Sequence, residues 1–560
     1  MADSETTPDS SPALPDNEQG SRSEPITPAR IETSDQTPGE VVRPTPGVVV
    51  TQPRRKRSKL WWLLLIILLA AAAGAAYHYT RPTKSSSTTA VNKDIPVLKV
   101  GVVDALTDTY PLGSNATTTM AEVNSQLFEG LVRYQQLTKI APQLATSWTN
   151  PDNTTWVFNL QHGVYFHSGR LLTAQDVKYS LDYAVAHDND SNASASLSEA
   201  NTIKEVDVVN NNQVKVVTTA PDPTLLNRLT TLFIFDSKAK LGDPNAGTGP
   251  YTVKPNTTPS ATSIDLTAAS RYWGGHIYTK EVDINSDTNI DNLSQATAKG
   301  QFDLAGDFST AQLAKIPGAR DISVDDFGVT FLGLNTLKTT SPLSTLAGRQ
   351  AATYALDIPT ILKAASLSGK ATGQLIPATI LGHDPSIKNP AYDPAKAKAL
   401  LATVKNAAAP LTLSFPAGDE SQVNEIAKEL NAVGFNVKVS SQPDVGSLVD
   451  VAFAGKTDIF YLTYTSNILD GLDIIQNVVT AAASDYNSTQ VNNLADQASA
   501  TFDSTARIKL LQQIGQQVAK DIPDVPLYTL TRHYALTKPY QLQVDIPSAN
   551  VGAYFWQTHR

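Results

Sequence analysis

The feature that most constrains this chain is an apolar run that starts at Leu60-Trp61-Trp62-Leu63 and continues through Ala76 to Tyr77, His78 and Tyr79. No charged residue interrupts it between Lys59 and Arg81. About 20 residues rising ~1.5 Å each match the ~30 Å hydrocarbon core of a bilayer, and the aromatic residues at both ends sit where interface belts belong. Residues 60–80 are therefore expected to form one transmembrane helix. Arg54, Arg55, Lys56, Arg57 and Lys59 stand directly before it, which places the N-terminal side in the cytoplasm and everything after Thr80 outside. Small-residue patterns between Ala71 and Ala76 are of the kind a signal peptidase cuts. The run is longer than the ~7–15 residues of a signal sequence, however, and its n-region is long, so an uncut signal anchor is the expectation.

The flanks are of a different character. Residues 1–53 hold nine Pro, many Ser and Thr, and hardly an apolar run; such a segment cannot bury enough surface to offset its chain entropy. Residues 1–59 are read as a disordered cytoplasmic tail ending in the basic stop, and residues 81–95, with Ser85-Ser86-Ser87-Thr88-Thr89, as a polar tether. At 560 residues the chain exceeds what one hydrophobic core supports, so the outer part is expected to hold more than one folding unit. It contains no cysteine, which excludes disulfides, thiolate metal sites, thiol nucleophiles and a lipidated N-terminal cysteine. The net charge of -9 argues against a nucleic-acid partner, since phosphate binding needs a basic face and the sequence offers none.

From Pro96 onward strand and helix signals mix. Leu98-Lys99-Val100-Gly101-Val102 reads as a first strand. Trp156, Phe158 and Leu160 alternate, and with Gly163 and Tyr165-Phe166 they predict a half-buried hairpin. Val206 and Val208 run into Asn210-Asn211-Asn212, after which Val214 and Val216 resume the same face, predicting a second hairpin. Thr173 with Asp176, Asp393 before Pro394, and Asp503 are helix-capping signals; the last opens a helix with Ile508, Leu511, Gly515 and Val518 on one side. Together these imply an α/β or α+β architecture.

Several segments in order resemble the extracellular solute-binding proteins of family 5, the dipeptide, oligopeptide and nickel receptors of ABC importers. They begin with Phe128-Glu129-Gly130-Leu131-Val132-Arg133-Tyr134, Ala141 through Trp148, and Trp156 through Gly169 with Leu172 through Val177. They continue with Gly247-Thr248-Gly249-Pro250-Tyr251, Tyr272-Trp273-Gly274-Gly275, and Phe331 through Thr336. Arg349-Gln350-Ala351 with Tyr354 through Asp357, Tyr392 through Leu401, and Asp521 through Tyr528 complete the series. The resemblance implies an α/β, periplasmic-binding-protein-like type II two-lobed clamp with an extra subdomain, occupying residues 96–560 behind the tail and the transmembrane helix. Lobe I would take about 96–135, 236–330 and 529–560, the subdomain about 136–235, and lobe II about 331–528, the chain crossing near Asn335 and near Tyr528. Such a clamp closes by hinge motion on its ligand.

The same resemblance bears on the ligand. Peptide-binding members pair an acid that follows the strand resembling Asp458 through Tyr464 with the peptide's free amine, and the matching position here is Asn467, which accepts a hydrogen bond but supplies no charge. Asp470 and Asp473 lie just downstream as possible substitutes, with a solvated loop as their plainer role. The Arg that dipeptide binders place after the strand resembling Leu411 through Pro416 has no counterpart in Ala417-Gly418-Asp419-Glu420. Tyr464 stands where the family commonly has a pocket Trp, and as an aromatic it either stacks on ligand or fills core. Asn335 either contacts ligand or satisfies backbone at the crossover, the second being favoured. The candidate ligand-binding residues are thus Tyr464, Thr465, Asn467, Asn335 and Asp470. Trp273 and the glycines of Gly247-Thr248-Gly249 are read as structural.

No G-x-S-x-G or H-E-x-x-H motif is present, and Gly455-Lys456-Thr457 lacks the upstream glycine of a phosphate loop. His162 and His167 stand apart from other histidines, so neither a metal site nor a cofactor is expected. The expected role is a membrane-anchored, extracytoplasmic substrate-binding protein that is not an enzyme. It would deliver an oligopeptide or related small solute to an ABC permease, with residues 60–80 in the lipid bilayer. The alternative is a surface sensor or adhesion module that uses the same fold without transport.

Overall fold

The computed structural model describes residues 92–106, 118–135, 138–188, 197–466, 468–480, 486–542 and 554–560. The tail and basic stop at 1–59, the apolar run at 60–80, most of the tether and Asn467 lie outside the described residues. Among the described residues no helix is long and apolar enough to cross a membrane.

A twelve-stranded sheet organises the described chain. Its principal strands are β1 (Ile95–Val102), β2 (Thr279–Ser286), β3 (Leu304–Phe308), β4 (Arg320–Asp325), β5 (Gly328–Leu334), β6 (Pro410–Pro416), β7 (Asn436–Gln442), β8 (Ile459–Thr465) and β9 (Asp524–Leu536). Along the sheet the order of these strands is β2-β1-β3-β9-β5-β8-β6-β7, with β4 also paired to β9. The long strand β9 spans both halves. Its C-terminal part, Thr531 to Leu536, pairs with β3 and β4, and its N-terminal part, Asp524 to Leu530, pairs with β5 and with Gly369–Ala371. Asp326 and Phe327 join β4 to β5 beside the same point. The chain therefore exchanges halves at Asp326–Phe327 and at Leu530–Thr531. Asn335, expected at a crossover, follows the far end of β5, because β5 runs wholly within the second half.

Pro526 sits inside β9, where it would cost a ladder bond in a regular strand. The register slips between Thr330 and Phe331 there, pairing Thr330 with Tyr528 and Phe331 with Pro526, so a bulge accommodates it. Every residue of β5 is buried, as a strand covered on both faces requires. Leu332 and Leu334 point into one core with Leu413, Val423, Ile426 and Leu430. Val329 and Phe331 point into the opposite core with Phe460, Leu511 and Ile514. The first half has its own core around Leu98, Met120, Tyr251 and Ile284.

A separate four-stranded sheet is formed by Ala145–Asp152, Thr155–Leu160, Gln213–Thr218 and Ile203–Asn210. The second predicted hairpin is present, with Val206 opposite Val216 and Val208 opposite Val214. The first differs: Thr155–Leu160 pairs with Ala145–Asp152 and Gln213–Thr218, while Tyr165 only bridges Leu171. Gly163, at φ +73°, turns the chain out of the sheet before Tyr165. The capping signals are realised. The Asp176 carboxylate accepts from Thr173 N and Oγ1 at 3.0 and 2.9 Å, Asp393 accepts from Lys396 N at 2.9 Å, and Asp503 accepts from Ala506 N at 2.7 Å.

Candidate functional site

Strand directions alone bring two edges face to face. β3 and β5 both run antiparallel to β9. β1 is parallel to β2 and β3, so the carboxyl ends of these three strands point toward the second half. β8 is antiparallel to β5 and parallel to β6, which is parallel to β7; their carboxyl ends point back toward the first half. In open α/β sheets, ligands bind outside the carboxyl ends of strands. Here two such edges confront each other across the strands at which the chain crosses between halves.

On the first edge a small recess of about 30 Å³ is lined by Val103, Asp104, Thr119, Glu122, Asp307, Arg532 and Tyr534 among others. Asp104 accepts from Thr119 N at 3.3 Å and Oγ1 at 2.9 Å. Burial pushes the Asp307 carboxyl up against the opposing pull of Arg532. Arg532 reaches Asp307 with Nη1 and donates from Nε to Asp326 Oδ2 at 3.0 Å. The other oxygen of Asp326 accepts from the backbone N–H groups of Phe327 at 2.7 Å and Gly328 at 3.2 Å. One guanidinium thus links the recess to the point where the chain crosses. Sequence reasoning missed Asp307, Asp326 and Arg532, because Asp326 and Arg532 are 206 residues apart and no local spacing announces them.

On the second edge Thr465 ends β8 and is exposed. Tyr464 points to the opposite face, half-buried, and its hydroxyl donates to Asp473 Oδ2 at 3.1 Å. Burial raises both the Tyr464 hydroxyl and the Asp473 carboxyl above their ordinary values. The loop from Pro416 to Asp419 borders the same edge: Gly418 takes φ +105°, and Gln422 donates to the Asp419 carboxylate. Asn467 lies outside the described residues, while its neighbour Ile468 offers its carbonyl to Asn227 Nδ2 at 2.9 Å and to the Tyr134 hydroxyl.

Two expected residues stand elsewhere. Asn335 follows Leu334, which pairs with Ile459 at the start of β8, so the seven-residue length of β5, roughly 20 Å at ~3.3 Å per residue, separates it from Thr465. Its side chain accepts from Lys338 N at 3.2 Å, a backbone-satisfying role. Asp470 is neither solvated nor open to a guest: it is 0% exposed and its two oxygens take Arg507 Nη1 and Nη2 at 2.5 and 2.6 Å. It also accepts from Leu472 N at 2.9 Å, capping Gly471–Ile474. A short apolar loop could pass for a surface turn in sequence because the arginine that neutralises Asp470 lies 37 positions downstream.

The motif series converges on a second buried acid. Glu129 accepts from Trp273 Nε1 at 2.7 Å, Thr248 Oγ1 at 2.8 Å and the Tyr272 hydroxyl at 3.1 Å. Burial pushes its pKa up to about 7 while these donors oppose the shift. A Cβ on Gly247 would lie 1.9 Å from Leu127 O, so only glycine permits this approach. Among the described residues no group of three or more His, Cys, Asp or Glu is placed to hold a metal ion. His162 contacts Asn212, and His167 contacts the Gly249 carbonyl at 2.9 Å.

The fold is a mixed α/β fold shared with periplasmic binding proteins. NikA of Brucella suis, solved with Fe(III)-EDTA, superposes with a TM-score of 0.72 at 19% identity, covering 83% of this chain and 99% of that one. The unliganded open form of the murein tripeptide binding protein MppA gives 0.70 at 18% identity, covering 84% and 98%. Heme-binding protein A of Haemophilus influenzae is 28% identical over 312 residues, 50% of this chain but only 56% of that protein. The dipeptide-binding protein of Escherichia coli is 26% identical over 437 residues, 69% of this chain and 80% of its own length. The model for bacterial extracellular solute-binding proteins, family 5 Middle, matches residues 139–486. The chain belongs to that family.

Proposed function

We propose that this protein is the membrane-anchored, extracytoplasmic substrate-binding component of an ABC importer, a type II clamp whose two lobes close on a small solute and hand it to a permease. The observation that carries this reading is the confrontation of two carboxyl-end strand edges across hinge strands. It makes a closable cleft. With the sequence-based bounds at 330 and 528 moved to the observed crossings, lobe I takes about 96–135, 236–326 and 531–560, the subdomain about 136–235, and lobe II about 327–530. Residues 60–80 anchor the chain in the membrane behind a cytoplasmic tail. Named relatives bind dipeptide, heme and nickel, so the family membership supports solute binding without fixing the solute.

The ligand is neutral or weakly charged, such as a longer peptide held through its backbone. Thr465 and Tyr464 form lobe II's side of the site, with the recess at Asp104, Asp307 and Arg532 opposite, and Asn467 is the further ligand contact the sequence suggests. Asparagine at position 467 gives an ammonium no counter-charge, and Arg532 is already committed to Asp307 and Asp326. Native mass spectrometry of residues 96–560 purified without denaturation, followed by calorimetry with a tryptic peptide digest, tests this. Co-purifying small molecules and a measurable binding heat are expected. A rigid particle by X-ray scattering with no guest across a broad metabolite panel overturns the clamp. Asn467→Asp is expected to improve binding of amine-bearing peptides about tenfold, the scale of one charge-assisted hydrogen bond.

A further inference from the structure

The loop that leads from β8 into Gly471–Ile474 is gripped from the opposite side of the molecule. The Ile468 carbonyl accepts from the Tyr134 hydroxyl and, at 2.9 Å, from Asn227 Nδ2, which also donates to the Tyr134 oxygen at 3.2 Å. Tyr134 closes the short strand Val132–Tyr134, and Asn227 lies in Leu225–Arg228. Both belong to the chain before the first crossing, whereas Ile468 belongs to the half beyond it. Tyr134 is 4% exposed and packs within the core of that other half beside Phe327, Val329 and Phe331. Burial raises its hydroxyl above the ordinary tyrosine value, so the donor persists across the physiological range.

A second contact stands on the same platform. Trp156, in the four-stranded sheet, meets Phe502 with ring centroids 6.1 Å apart, and Phe502 sits in the bend between helices Thr489–Ala500 and Ser504–Asp521. Arg507 of the latter helix donates from Nε to the Ala498 carbonyl at 3.1 Å and grips Asp470 with both Nη atoms. The Asp470–Arg507 pair therefore locks the loop at 468–470 to the helical bend, and the two contact points move as one body.

We infer that Tyr134 and Asn227 are positioning residues that form a closure latch: they capture the Ile468 carbonyl, and with it the buried loop at 468–470, when the subdomain side meets lobe II. Among the described residues the chain connects the halves at Asp326–Phe327 and Leu530–Thr531, away from these contacts. The latch biases the clamp toward its closed form. Apparent affinity then scales with the fraction of molecules already closed. This inference rests on the clamp reading above.

The chain has no cysteine, so two can be introduced for dye pairs without interference, at Lys204 on the four-stranded sheet and Lys438 on β7, both exposed. Single-molecule energy transfer on the full-length chain, with and without a tryptic peptide digest as probe, reads the distance between the halves. Tyr134→Phe keeps the ring packing and removes the donor; Asn227→Asp replaces a donor by an acceptor facing a carbonyl. We expect Tyr134→Phe to lower the ratio of closed to open molecules about two- to tenfold, the factor for one net hydrogen bond, and Asn227→Asp to lower it further, with the melting temperature of Tyr134→Phe little changed. Two populations whose ratio both variants leave unchanged overturn the latch and leave the clamp standing. A loss of melting temperature at an unchanged ratio also overturns it, since the contacts would then be plain fold contacts. One narrow distance in every variant, with or without the digest, overturns the clamp and the latch together.

Discussion

Glu129 and Asp524 are both carboxyls buried inside this fold, and their surroundings are opposite. Glu129 sits where three aromatic and hydroxyl donors converge from separate motifs. Asp524 opens β9 among Leu375, Ile376, Ile475, Val518 and Ile522, with neither oxygen hydrogen-bonded among the described residues. Burial alone pushes it up to about 8. Asp470 makes a third case, buried as deeply but neutralised by Arg507. A buried acid is tolerated with donors, with a cation, or by keeping its proton, and the three solutions respond differently to mutation and pH.

The largest effect is expected at the ion pair. Asp470→Ala strands the Arg507 guanidinium in the core and should cost about 4 kcal/mol of unfolding free energy in urea titration; a loss below ~1 kcal/mol would mean water reaches Arg507. Glu129→Ala removes the acceptor from three buried donors and should cost about 3 kcal/mol at pH 6, where the acid still carries its proton. Asp524→Ala should have the opposite sign. Its folded pKa of about 8 lies above an unfolded value near 3.9, so the native state is unpenalised below about pH 4 and loses stability as pH rises toward about 8. The alanine variant should therefore lose slightly at pH 4, through lost packing, and gain about 2 kcal/mol at pH 8. A gain independent of pH would show that Asp524 has a partner. The smallest effect is expected at Tyr464→Phe, which removes one hydrogen bond to Asp473 and should cost about 1 kcal/mol in thermal melts.

The residues that speak locally were readable in advance. Thr173 with Asp176, Asp393 before Pro394, and Asp503 cap the helices they announce, and Val206, Val208, Val214 and Val216 form the hairpin they predict, because partners three to ten residues apart meet in any fold. The motif series gave the family. The site was less legible. Tyr464 and Thr465 end β8 on the edge that points toward the first half, whereas Asn335 sits at the far end of β5, and its sequence context does not reveal toward which half a strand end will point.

Sequence by itself determined the strand and helix grammar, the family, and a chain built for more than one core. Tertiary structure decided where the halves join, that Asp470 is a core ion rather than a surface one, and that Glu129 draws donors from two other motifs while Asp524 draws none. The physical reason is range. Caps and turns are satisfied within a few residues, but a buried charge or a hinge is settled by groups such as Arg507 and Arg532, which reach it only once the chain has folded back on itself.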